Sequence, residues 1–210
     1  MMNVSRASLW IVVLCMLSTV ASAAQSKLVT VNLPYSATID VPSSWRVITP
    51  DGRVSITSRS NKLQSDKGMT PESYGFPFAA NYIENNTLDA KISVFFVPEE
   101  ITRKEAQEIA DENLVHKLDE IYKEMAVNDF TKLGIPLKWI GTKTRKINGN
   151  TAIISEYYVP DTSGDFWYHN SLIRMYDGKR SFVMVIAYNN DRRKFLQTIT
   201  DRMIRSIKMR

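Results

Sequence analysis

The sequence has one cysteine in 210 residues and two histidines. Cys15 lies inside an apolar run at 9–17 and follows Val12, Val13 and Leu14. A lipid-attachment cysteine needs small residues there, so Cys15 reads as one more apolar side chain, and the chain beyond it can form no internal disulfide. There is no Gly-x-Ser-x-Gly, no Ser-x-x-Lys, no His-Glu-x-x-His and no glycine-rich phosphate loop. The common activated nucleophiles, the familiar zinc patterns and nucleotide cradles are therefore missing. The expectation is a protein that is not an enzyme, with no cofactor and no metal. Long apolar runs are missing too: residues 9–17 fall well short of the roughly 20 needed to span a bilayer.

That short run has the makings of an export signal. Arg6 supplies a positive n-region, and Ala21-Ser22-Ala23 is a small-x-small cleavage site, with a cut after Ala24 as the alternative. Residues 1–24 are expected to be a cleaved signal peptide and 25–210 one domain. The expected location is the periplasm, with secretion as the alternative. Export points away from nucleic acid. With a net charge of +5, the expected partner is another protein, or an anionic membrane surface or cell-wall polymer, and a small-molecule ligand stays open. Arg192, Arg193, Lys194, Arg202, Arg205, Lys208 and Arg210 crowd the final segment, as on a solvated helix face with cations toward its C-terminus.

Alternation predicts strands at 27–33, 36–41, 53–58, 78–83 and 91–97, with a polar loop over 61–77. A capping box at Thr102 and Glu105 starts a helix expected to end near Ala126. Its inward stripe is Ala106, Ala110, Leu114, Leu118, Ile121, Tyr122 and Met125. Strands follow at 137–147 and 151–159, joined by Asn148-Gly149-Asn150, then at 166–176 and 181–188, joined by 177–180. Residues 182–187 are apolar on both faces, the mark of a central strand covered on either side. Asp191 is expected to cap a last helix with Phe195, Leu196, Ile199, Met203 and Ile207 inward. The fold class is α/β (α+β): an α/β/α sandwich whose largely antiparallel sheet has helices on both faces.

This order, with Ile39-Asp40-Val41-Pro42-Ser43-Ser44-Trp45 at its entry and Met203-Ile204-Arg205-Ser206-Ile207 at its end, resembles the Mog/PsbP-like superfamily, including DcrB-like exported bacterial proteins. The resemblance spans nearly the whole chain after the signal. It implies non-enzymatic work as an accessory subunit, binder or adaptor, and it supplies no functional residue. Small size, export and the lack of catalytic motifs also fit an immunity or adaptor protein for a secreted toxin. Trp45 is expected to close one end of the core.

Aromatic residues beside turns are the better lead to a contact surface, because they bury much area at low entropic cost. The expected partner-binding residues are Tyr74, Phe76, Trp167 and Tyr168, with Arg192 and Arg193 on the basic edge. Phe78 and Trp167 also fit as caps on the core ends. His116 is expected to be solvated, His169 half-buried on its strand and Glu156 turned outward. Asp161-Thr162-Ser163-Gly164-Asp165 reads as an ordinary turn rather than a calcium loop. Asn85-Asn86-Thr87 matches a glycosylation acceptor, of consequence only in a eukaryotic secretory route.

Overall fold

The computed structural model describes residues 27–69, 75–98, 108, 112–176 and 180–209. The proposed signal peptide and the capping box at Thr102 lie outside them.

β1 (Leu28–Asn32) and β2 (Thr38–Pro42) form an antiparallel pair of their own. The main sheet takes β3 (Arg46–Val47), β4 (Phe78–Glu84), β5 (Thr87–Pro98), β6 (Lys138–Ile147), β7 (Asn150–Pro160), β8 (Trp167–Tyr176) and β9 (Arg180–Asn189) in the order β3-β4-β5-β9-β8-β7-β6. All its pairings are antiparallel. Among the described residues three α-helices accompany it: α1 (Pro50–Asp66), α2 (Glu112–Leu133) and α3 (Arg193–Ser206). The α+β class and the antiparallel sheet are as the sequence predicts. β9 is the middle strand, which explains why Phe182, Met184, Ile186 and Tyr188 alternate with Val183 and Ala187 and every one of them is buried.

One face of the sheet packs against α3 and the β1–β2 pair. Ile39, Val41, Ile92, Ile154, Ile173, Met184, Leu196, Ile199, Met203 and Ile207 belong to this core. Trp45, 4% exposed, closes its end as expected and stacks on Tyr82 with ring centroids 6.2 Å apart. α2 lies on the opposite face. Leu118 and Tyr122 pack against Ile153 and Tyr176, and Phe130 meets the ring of Tyr157 edge-on at 5.7 Å. The Asp119 carboxylate accepts from Trp139 Nε1 at 2.9 Å and Thr142 N at 2.6 Å.

The segment expected as a strand at 53–58 is the middle of α1, and the expected loop begins as its last turns. Thr49 caps the helix by accepting from Gly52 N at 3.2 Å, Pro50 follows it, and Asp51 stands in the first turn. These start signals outweigh the β-branched Val54, Ile56 and Thr57. A Cβ on Gly52 would meet Ile48 Cγ2 at 2.8 Å, so this glycine permits a close approach rather than a turn. α2 runs two turns past its expected end, where Gly134, at φ +74°, lets Ile135 N reach Phe130 O at 2.9 Å.

The Asn148–Gly149 hairpin is formed as expected, both residues having positive φ. Asn148 also closes the far end of α3: its Nδ2 donates to Arg205 O at 2.9 Å and Ile207 O at 2.6 Å. Asn148→Gly keeps the backbone freedom and removes both bonds. It should destabilise the fold by about 1–2 kcal/mol, measured by urea denaturation; an unchanged midpoint would deny the clasp any energetic role.

Candidate functional site

Two residues set apart by sequence meet beneath α3. Glu156 on β7 and His169 on β8 point to the same sheet face, and Glu156 Oε1 lies 3.9 Å from His169 Nε2. Lys143 on β6 reaches Glu156 Oε2 at 2.5 Å. Register explains the convergence. Tyr158 and Tyr188 are the direct cross-strand partners of His169, so its ring stacks on Tyr188 at 4.9 Å and meets Tyr158 edge-on at 5.2 Å. Gln197, Thr200 and Asp201 of α3 complete the wall of a recess of about 40 Å³.

The outward orientation expected for Glu156 is corrected here: its side chain is 20% exposed and lines this recess, because Lys143 provides the opposite charge that an inward carboxylate needs. His169 is 5% exposed rather than half-buried, and its Nδ1 has no hydrogen-bond partner. A recess of this size admits about one water.

Burial pushes the His169 pKa down, Glu156 opposes that shift, and Arg193 and Lys143 add to it. In the unfolded chain this imidazole takes up a proton near the ordinary value of about 6.5. As pH falls through that value the unfolded state gains a proton that the folded state resists, so stability is complete above about 6.5 and declines below it. Wild type should lose up to about 1.4 kcal/mol per pH unit more than His169→Phe over that acidic window. Urea unfolding of both proteins at several pH values checks this, and parallel stability curves would contradict it.

The residues expected to bind a partner are divided between the two ends of the sheet. Tyr74 lies outside the described residues. Phe76 sits beside β4, edge-on to Phe95 at 6.0 Å, and shares an apolar groove with Pro50, Arg53, Val54 and Thr57. Trp167 and Tyr168 begin β8 at the other end. Lys138 Nζ stands 3.9 Å from the centre of the Trp167 ring, while Tyr168 is buried and donates its hydroxyl to Leu88 O at 2.5 Å. Arg192 is gripped by Glu84 and the buried Asp89. Arg193 donates along its own helix to Gln197 Oε1, at 3.0 Å.

The stripe expected to anchor α2 is split: Leu118 and Tyr122 pack on the sheet as expected, three other members face away, and Ala106 and Ala110 lie outside the described residues. Leu114, Ile121 and Met125 are 36%, 51% and 53% exposed. Spaced by seven and four residues, they share one narrow line. Tyr122, Asp119 and Phe130, which hold the helix down, lie about 80–160° around it. The apolar pattern was legible in the sequence. Its direction is set by the Asp119 contacts at the β6 bulge and by the Phe130–Tyr157 contact, which alternation alone does not reveal. Among the described residues there is no group of three or more histidine, cysteine, aspartate or glutamate side chains able to hold a metal ion.

A β-hairpin leading through a Pro-x-x-Trp turn into a seven-stranded antiparallel sheet, with helices on opposite faces, is the PsbP-like fold. The chain is similar in structure to cyanobacterial PsbP (CyanoP) from Synechocystis sp. PCC 6803. The TM-score is 0.56 and the identity 14%, over 88% of this chain and 94% of that one. A looser likeness, with TM-score 0.45 and 15% identity over 87% of this chain and 90% of the other, links it to LpqN, involved in cell envelope biogenesis of Mycobacterium tuberculosis. No protein-family model and no curated protein sequence matches the chain. At these identities the likeness is one of fold.

Proposed function

We propose that this chain is an exported, non-catalytic accessory protein that works in the periplasm by binding another protein. The observation that supports this reading is the Leu114–Ile121–Met125 line on α2. A helix that already has a docked side and keeps a second apolar line in solvent has the form of a surface awaiting a partner. The line covers about 16 Å of helix, enough for an apolar segment of a second protein to lie along it. Lys117, Glu120 and Glu124 occur along the same helix and provide charges of both signs for register.

Native mass spectrometry tests the reading on protein purified gently from periplasmic extract, as wild type and as Ile121→Lys/Met125→Lys. A second polypeptide at fixed stoichiometry with wild type, absent from the variant, is the expected result. Bare wild-type protein, or a partner retained in full by the variant, would refute it.

A further inference from the structure

A cleft of about 410 Å³ opens between the β4–β5 turn and the loop joining β7 to β8, lined among others by Thr87, Lys91, Asp161, Asp165, Phe166 and Tyr168. This volume is in the range of small-molecule sites, about 300–1,000 Å³. It lies on the sheet face opposite the His169 cluster.

Its walls are braced from within. Asn85 and Asn86, at φ 49° and 63°, make the tight turn between β4 and β5. The Tyr168 hydroxyl ties the floor to Leu88 O. Asp161 shapes the opposite loop by accepting from Ser163 N at 3.1 Å and from Phe166 N at 3.2 Å. Phe166 and Tyr168 meet edge-on at 5.0 Å and supply apolar surface. Lys91 Nζ stands 5.3 Å from the centre of the Tyr168 ring. Its side chain opens to the cleft, and the protein walls around it push its pKa down.

One feature of the loop points to a hydroxylated ligand. The Ser163 hydroxyl faces both Asp161 Oδ2 and Asp165 Oδ2, the latter at 2.6 Å. A hydroxyl has one proton to give. Asp161 has the backbone N–H groups of Ser163 and Phe166 as donors, so Ser163 can give its proton to Asp165, whose exposed carboxylate keeps further acceptor capacity toward the cleft. Asp161 is held below the usual carboxylate range, chiefly by Ser163.

We propose that this cleft binds a neutral, polyhydroxylated ligand of saccharide type. Asp165 accepts from its hydroxyls, Lys91 donates to them, and the Phe166–Tyr168 pair packs against its C–H surface. Charge selects against the other classes. A phosphate or carboxylate ligand would face two aspartates against one ammonium, and an apolar ligand would strand Lys91 and Thr87 without partners. A saccharide hydroxyl both donates and accepts, which matches a wall where the two capacities alternate. The site is independent of the α2 line, and either can fail without the other.

The test is a backbone-amide NMR titration of the purified protein with maltose, cellobiose and N,N′-diacetylchitobiose, using glucose 6-phosphate as the anionic control. At least one disaccharide should shift the amides of Lys91, Ser163, Phe166 and Tyr168 with millimolar affinity, and Asp165→Asn and Lys91→Met should each weaken it about tenfold. The thermal midpoint of each variant, measured alongside, separates lost binding from lost fold. No localised shift with any of the three sugars would overturn the proposal. So would shifts unaffected by both variants, or stronger binding of the phosphorylated control.

Discussion

Arg192→Ala should lower the unfolding free energy by about 2–3 kcal/mol, while Arg193→Ala one residue away should change it by less than about 0.5 kcal/mol. The two arginines look alike in the sequence and occupy different electrical settings. Asp89 is 2% exposed; it is paired with Arg192 and accepts from Asn189 Nδ2 at 3.3 Å. Removing the guanidinium leaves a buried carboxylate without its countercharge, which usually costs about 3–5 kcal/mol. Arg192 is itself one-third exposed, so water relieves part of that loss. Asp89→Asn in the Arg192→Ala background should recover much of the stability, because the stranded charge is gone. Thermal and urea unfolding of the three variants read this directly. Equal effects of Arg192→Ala and Arg193→Ala would mean that the clamp is an incidental surface pairing.

Ile121→Lys/Met125→Lys should weaken partner binding about 100-fold or more and leave the thermal midpoint within a few degrees of wild type. An apolar anchor at the centre of an interface contributes about 2 kcal/mol or more, and a lysine in its place must also be desolvated. Neither residue holds α2 to the sheet, so the fold has little to lose. Tyr122→Ala is the contrasting change. It removes a side chain that packs on Ile153 and Tyr176 and lies under Arg174, 5.1 Å from its ring centre, and should show up as lost stability. The proposal needs the two phenotypes to separate in this way. Loss of stability from the lysine pair would mean that the line is part of the packing.

Most of the architecture was legible because it rests on local periodicity. The strands of β6 to β9 alternate or run apolar for ten or eleven residues, and Asn148-Gly149 can hardly be anything but a hairpin. α1 was hidden because its side chains have strand character and its start signal, Thr49-Pro50-Asp51-Gly52, also spells a turn. What decided the matter was the Thr49 side chain reaching Gly52 N. The site was less legible. Glu156 and His169 are thirteen residues apart, and only the β7–β8 register places them together. Likewise, the cleft between the β4–β5 turn and the β7–β8 loop is lined by both Asn86 and Asp161, a juxtaposition with no trace in either local sequence.

The place of β9 in the sheet governs the order in which the chain can fold. β5 pairs with β4 on one side as soon as both are made, but Val94 pairs with Met184 on the other, some ninety positions later. Until the last strand arrives, the growing chain has an open strand edge bearing Ile92, Val94 and Phe96, a template for pairing with other chains. A truncation within β9 therefore does more than shorten the protein. It leaves both halves of the sheet without the strand that joins them, and such a product should aggregate rather than persist as a smaller domain.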